Sequence, residues 1–414
     1  MAETSLRHSI ATFHNERADR AAPYGDAQRR VLNLAAHAAA RREIAAWPGY
    51  APTPLVDLPG LAAAAGVASL RYKDEGGRFG LGSFKALGGA YAVFRLLAGE
   101  VARRTGGPAP SASELLSGAH RAIVSTITVT CATDGNHGRS VAWGARTFGC
   151  GCVIYVHATV SERRRAAIAA YDATVVRTPG NYDDAVRRAG ADAAANGWLV
   201  VSDTSYEGYM DVPRDVMQGY TVMVQEAVEQ WPPDERPTHI FIQAGVGGLA
   251  AAVCGHLWEL WGAERPRLVV VEPDKAACLF ESARAGRPVA VHGDLDTIMA
   301  GLACGEVSLL AWAILGPGAD DFMTVTDAAA KDAMRRLADG AGGDRPVVAG
   351  ESAAAGLAGL LGALADPAAR AALGLGADSR VLLFGSEGDT DPELYAGIVG
   401  RTADQIRADQ VRAA

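Results

Sequence analysis

Lysine is nearly absent from this chain. Of 39 basic residues only four are lysine, Lys73, Lys85, Lys275 and Lys331. Generic positive charge is therefore carried by arginine. A lysine kept between glycines and apolar residues points to amine chemistry, which arginine cannot perform. Lys85 stands in that setting, within "GLGSFKALGGAYAV" at 80 to 93. The plainer alternative is a surface lysine that packs its stem. Basic excess is missing too: the net charge of -8 argues against a nucleic-acid surface. The most apolar stretch, Ser352 to Ala365, is shorter than the roughly 20 residues a membrane helix needs. The N-terminal stretch has no apolar core of a secretory leader, so a cytoplasmic protein is expected. Cysteine is sparse, with six residues and no CxxC or Cys/His cluster, so no metal site is expected. Buried apolar cysteines are the default, and only Cys278 and Cys304 lie in adjoining segments that could bring them close.

What is present is an α/β pattern. β-branched runs such as "AIVSTITVT", "CVIYVHA", "TVVRTPG" and "WLVVSD" alternate with helical stretches, among them "SERRRAAIAAYD" with Ser161 as its N-cap. A second series holds "THIFIQA", "RLVVVEP" and "RVLLFG". Strands alternating with helices imply mainly parallel sheets, here in two three-layer αβα domains. The expected division is 1–95 with 200–414 as the large domain and 96–199 as a small inserted one. The N-terminal 50 residues read as polar and then helical. Ligands of such folds bind beyond the carboxyl ends of the strands, in a crevice between the two regions.

Three loops follow strands and carry chemistry. In "AGVGGLAAA", Ala244 to Ala252, the glycines let backbone N–H groups converge on an anion at a helix N-terminus. The same letters match a dinucleotide fingerprint, with Glu272 ending the next strand where a ribose-binding acid is expected. Taken alone, this loop leaves NAD and another phosphate ligand level. In "CATDGNHGRS", Cys131 to Ser140, Asp134, Asn136 and His137 crowd between glycines. There Gly135 and its neighbours offer amides to a substrate carboxylate, and Asn136 offers a donor to a phenolate-type oxygen. Asp134 is a candidate acid/base with Thr133 beside it; an Asx-turn is the plain alternative. In "FGSEGDTD", Phe384 to Asp391, Ser386 is a hydroxyl able to meet a ring nitrogen. An amine, a phosphate cradle, a donor to an oxygen and a hydroxyl together suit pyridoxal phosphate. NAD explains the glycine loop but neither Lys85 nor the Asn136 loop.

The chain resembles the fold-type II (tryptophan synthase beta-like) pyridoxal-phosphate enzymes from about residue 50 to 395. Within them it is most similar to the diaminopropionate ammonia-lyases. "GLGSFKALGGAYAV", "TDGNHGRSVAWGAR", "SDTSYEGYMDVPRDVMQGY" and "DTIMAGLACGE" carry the likeness, with "SEGDTD" consistent. The resemblance implies that Lys85 forms the Schiff base and Asn136 contacts the cofactor's 3-oxygen. It implies that Gly245, Val246, Gly247, Gly248 and Leu249 wrap the phosphate and that Ser386 faces the pyridine nitrogen. Thr133, Asp134, Gly135, His137 and Asp203 are then substrate-side residues, with Lys85, Asp134 and Asp203 catalytic. The glycines neighbouring Lys85 are expected to leave room for the cofactor ring. The implied reaction is α,β-elimination of L- and D-2,3-diaminopropionate by a homodimer. The rivals are a serine/threonine dehydratase and an NAD-binding oxidoreductase. Ser386 stands where the family has threonine, and "VSDTSYEGY" differs from the usual "QDTAWEGY". Asp134, where dehydratases carry serine or threonine, discriminates most.

Overall fold

The computed structural model describes residues 8–133 and 135–412. Its strands are β1 Ile10–His14, β2 Leu55–Asp57, β3 Ser69–Asp74, β4 Thr128–Ala132, β5 Gly151–Val156, β6 Thr174–Arg177, β7 Leu199–Val200, β8 His239–Gln243, β9 Arg267–Pro273, β10 Asp321–Val325 and β11 Arg380–Gly385. They form a seven-stranded sheet in the order β1-β10-β9-β8-β11-β3-β2 and a four-stranded sheet in the order β6-β5-β4-β7. All pairings are parallel except the two edges, β1 on β10 and β2 on β3. The expected α/β class with mainly parallel sheets is the fold observed. Parallel sheets need both faces covered, and the central strands are accordingly apolar: β8 and β10 are buried at every residue.

The chain packs as two compact units. One comprises Met1–Val31, Thr53–Gly77 and Met223–Ala414; the other comprises Leu32–Pro52 and Arg78–Val222. The first carries the seven-stranded sheet. Its core gathers Leu70, Phe241, Val269, Met323, Leu357, Leu360 and Val381, all nearly inaccessible. The apolar helix Ala355–Ala365 packs on this sheet, with Gly356 against the Phe241 carbonyl and Gly359 against Val271 and Met323. Among the described residues, no helix is long and apolar enough to cross a membrane.

The second unit carries the four-stranded sheet and spans more than the expected 96–199. Helix Ala86–Thr105 belongs with it because that helix lies flush on helix Asn136–Phe148. The approach depends on missing side chains. A Cβ on Gly89 would run into the Ser140 hydroxyl, and one on Gly144 would come 2.8 Å from the Ala90 backbone. Gly219 is the tightest case, since its Cβ would overlap the Leu87 carbonyl oxygen. Gly219→Ala should cost about 1–3 kcal/mol through overpacking. A lowered urea midpoint at unchanged slope measures it.

Two sequence expectations change. The run "AIVSTITVT" is not one strand: Arg121–Val124 is a helical turn closed by Val124 N–H on the His120 carbonyl, and β4 starts at Thr128. That turn tucks Val124 and Ile127 inward, so the β-branched run serves two elements. The N-terminal segment contains β1, whose partner β10 lies some 300 residues away, pairing Ile10 with Val325. Ser161 caps helix Glu162–Ala169 as expected, accepting from Arg164 N–H.

Candidate active site

Lys85 immediately precedes helix Ala86–Thr105. Its Nζ donates to Asp203 Oδ2 at 2.7 Å, and both side chains are about one-fifth exposed. The amine lies 5.4 Å from the Phe84 ring centre and 6.0 Å from that of Tyr220. Those two rings pack on each other at 4.6 Å. Tyr220 fits because Gly88 has no Cβ: one there would clash with the tyrosine ring and with Val216. Gly88 and Gly89 thus seat Tyr220 and Ser140. Burial pushes the Tyr220 phenol far above its ordinary range, so it is a neutral wall beside the lysine.

Asp203 follows β7 in a loop stapled by Tyr209, whose hydroxyl accepts from Ser202 N–H at 3.0 Å and donates to the Val200 carbonyl at 2.9 Å. Burial works against the Asp203 charge. The adjacent Lys85 ammonium and its hydrogen bond oppose it, and the carboxyl is held well below the usual carboxylate range. His137 is buried; its Nε2 donates to the Val201 carbonyl at 2.8 Å and its Nδ1 faces Asp203 Oδ2 at 3.8 Å. Burial first, and Lys85 after it, lower the affinity of His137 for a proton, against the pull of Asp203. The imidazole is therefore neutral, with its hydrogen fixed on Nε2 by an acceptor that can only accept.

Thr133 is buried, and its hydroxyl oxygen accepts from the N–H groups of Gly135 and Gly138, both at 3.0 Å. It shapes the loop that ends in Asn136, the first residue of helix Asn136–Phe148. The stem of Arg164 lies over Gly135, 3.5 Å from where a Cβ would be. Asp134 lies outside the described residues.

The first unit holds the other loops. After β8, Gly245 to Gly247 lead into helix Gly248–Trp261, with Gly247 at φ +100° and no capping side chain. The first N–H groups of a helix have no internal acceptor, and here they start at buried Gly248 and Leu249. A Cβ on Gly245 would lie 2.9 Å from Cys304 Sγ and 3.1 Å from the Gly301 carbonyl. The turn has little room for a side chain, and the uncapped helix start leaves buried N–H donors of the kind that bind an anion. Cys278 Sγ lies 3.6 Å from the Gly245 carbonyl, so the two watched cysteines do flank one residue, and they are not joined in a disulfide.

Glu272 does not bind a ribose. It is fully buried and accepts from the N–H groups of Leu279 and Phe280 at 2.8 and 2.6 Å. Burial pushes its carboxyl up to about 8. It caps helix Cys278–Ala285, and the dinucleotide reading loses its acid.

Ser386 follows β11 and is 4% exposed. Gln243, the last residue of β8, donates through Nε2 to Ser386 Oγ at 2.8 Å and to the Phe384 carbonyl at 2.7 Å. Sequence reasoning missed Gln243 and Tyr220. Gln243 carries a signal, being the one amide in the otherwise apolar end of "THIFIQA". Tyr220 carries none, because what marks it is a glycine 132 positions earlier.

One unit offers a primary amine beside a carboxylate, and the other offers an uncapped glycine-led helix start and a buried hydroxyl. These groups suit a phosphorylated carbonyl cofactor with a ring nitrogen. Residues 46–386 match the family model described as "Pyridoxal-phosphate dependent enzyme". The chain belongs to this family. It is similar to diaminopropionate ammonia-lyase of Escherichia coli K12, with 42% identity over 358 residues, 85% of this chain and 88% of the relative. The holo crystal structure of the Escherichia coli diaminopropionate ammonia lyase matches at TM-score 0.87 and 37% identity, covering 95% of this chain and 97% of that one. A structure of the same enzyme with an aminoacrylate-PLP azomethine reaction intermediate matches at TM-score 0.84 and 37% identity, again over 95% and 97%. The cofactor of this family member is pyridoxal phosphate, and the parallel α/β fold is that of the fold-type II enzymes.

Proposed function

We propose that this enzyme converts 2,3-diaminopropionate and one water into pyruvate and two ammonia. The observation that carries the reading is the Asp203 carboxylate 2.7 Å from the Lys85 amine. A base that acts at Cα lies beside an anion able to hold a second substrate cation. The diaminopropionate lyases of similar sequence support it. When bound, the cofactor supplies an electron sink for the charge left at Cα.

The chain's residues do the rest. N–H groups of Gly245, Val246, Gly247, Gly248 and Leu249 would hold the phosphate. Asn136 would donate to the 3-oxygen, and Ser386 would meet the ring nitrogen. Lys85 would carry the cofactor through its amine and, once free and neutral, take the α-proton. Asp203 has one negative charge and two claimants. The substrate's β-ammonium competes with the Lys85 ammonium for it, and the lysine that loses this partner gives up its proton more readily. Neutral His137 adds no competing charge, and Gly135 with its neighbours receives the substrate carboxylate. Asp134 takes the α-proton of the D-isomer from the opposite face, while Lys85 serves the L-isomer. By the same resemblance, the working form is a cytoplasmic homodimer, which sedimentation equilibrium tests in its oligomeric part.

The deciding assay is pyruvate and ammonia release from 2,3-diaminopropionate against L-serine and L-threonine. Ammonia and pyruvate in a ratio of about two to one, with serine the poorer substrate, is expected from this stoichiometry and from the charge on Asp203. Faster turnover of serine or threonine would make the protein a dehydratase. Asp134→Asn should depress the D-isomer by about 10²–10⁴-fold, the range of a lost general base, and the L-isomer much less. Equal losses on both isomers count against two bases.

A further inference from the structure

The Gln243 amide has a fixed orientation. The Phe384 carbonyl, 2.7 Å away, can only accept, so the atom facing it must be the amide nitrogen. The same nitrogen reaches Ser386 Oγ at 2.8 Å, and the serine oxygen is therefore an acceptor from Gln243. Both residues are buried, Gln243 completely and Ser386 at 4% exposure. Burial shields these bonds from bulk solvent. The serine hydroxyl has a single hydrogen, and the amide nitrogen cannot accept it. That hydrogen is left to be donated elsewhere. A hydroxyl that accepts from one partner and donates to another is polarised cooperatively, and its O–H becomes the stronger donor. The neighbouring acid, Glu387, is engaged by Ser352 N–H at 3.2 Å and the Thr390 hydroxyl at 3.3 Å.

We propose that Gln243 is a positioning residue that turns the Ser386 hydroxyl outward, so that the hydroxyl would donate a hydrogen bond to the cofactor's ring nitrogen while keeping its own proton, and would leave that nitrogen unprotonated. The inference rests on Ser386 facing the ring nitrogen. It adds the reason why a residue able both to donate and to accept acts as a donor here. An unprotonated ring nitrogen is a weaker electron sink. It favours prompt loss of the β-group over longer-lived carbanion chemistry such as transamination. Strand pairing enforces the geometry: β8 and β11 are adjacent and parallel, which brings the end of one to the residue just past the other.

The test loads wild-type enzyme and variants with pyridoxal phosphate labelled with ¹⁵N in the ring and reads the nitrogen resonance by NMR. Gln243→Glu brings at most one proton, which the Phe384 carbonyl takes. Its oxygen then accepts from Ser386, and the hydroxyl is reversed. The expected result is a ring resonance moved from the unprotonated to the protonated position, with a raised ratio of transamination to elimination. Gln243→Met, of similar length and without a donor, frees the Phe384 carbonyl to draw the serine proton and should move the resonance in the same direction by less. It carries the test if the glutamate variant fails to load. If Ser386→Ala shifts the resonance while both Gln243 variants load and keep the wild-type position, the inference fails and the Ser386 assignment stands. If Ser386→Ala leaves the resonance unmoved, the Ser386 assignment fails and takes the inference with it. Loss of cofactor from both Gln243 variants, with Ser386→Ala loading normally, marks a structural role and also overturns the proposal.

Discussion

Replacing Lys85 with alanine is expected to abolish the visible absorption of the lysine-bound cofactor and to lower turnover of 2,3-diaminopropionate by on the order of 10⁴-fold. The size follows from two roles resting on one amine, covalent attachment and proton removal at Cα. The other lysines are occupied or placed elsewhere. Lys73 is fully buried and donates to Glu226 Oε2 at 2.8 Å, to the Thr53 carbonyl at 2.6 Å and to Gln230 Oε1 at 3.0 Å. Lys275 is half exposed and 3.7 Å from Asp327, and Lys331 lies within helix Asp327–Asp339. Lys85→Arg separates chemistry from charge. It keeps a cation beside Asp203 but can act neither as the amine nor as the base. It should therefore be as inactive as Lys85→Ala while retaining more of the stability that the ion pair provides. A coloured, active Lys85→Ala protein would remove Lys85 from the mechanism.

Legibility differed by residue, for physical reasons. Lys85 stood out because lysine is rare in this chain and because its neighbours are glycines and apolar residues. The glycine loops were legible because a strand end, a glycine turn and a helix start are local features. The purpose of Gly88 and Gly89 was not local: their partners are Tyr220 and Ser140, and only the packing of helices shows them. Glu272 illustrates the opposite error. Its position matched a fingerprint, but its carboxylate reaches the N–H groups seven and eight residues on. The β1 strand was illegible because an edge strand of five residues, with two of them only partly buried, has almost no periodic signal. Gln243 lay between these cases, visible as an odd amide in an apolar strand but without meaning until β11 was placed beside β8.

Asp203→Asn is the second variant with a large expected effect, and its value lies in how the loss divides between substrates. The change keeps the shape of the side chain and removes its charge. Two charges about 4 Å apart interact by about 4 kcal/mol near a protein surface, an upper figure for what the substitution withdraws from a bound β-ammonium. The expected loss in kcat/KM with 2,3-diaminopropionate is about 10²–10³-fold. L-Serine brings no second cation, so its smaller turnover should fall much less, and the preference for the diamino acid should narrow. The amine freed from the cofactor should change as well. Without the anion, the partly buried Lys85 holds its proton less tightly, so the pH at which the amine becomes competent should move down. Acid stability supplies an independent check. Asp203 has a depressed folded-state pKa. Its contribution is present above the unfolded carboxylate value of about 3.9 and is lost as pH falls towards the folded value. The unfolding free energy of Asp203→Asn should therefore depend less on pH below about 4 than that of the wild type. If diaminopropionate and serine lose activity in equal proportion, Asp203 is not the group that holds the second amine. Its pairing with Lys85 then serves only to place the base.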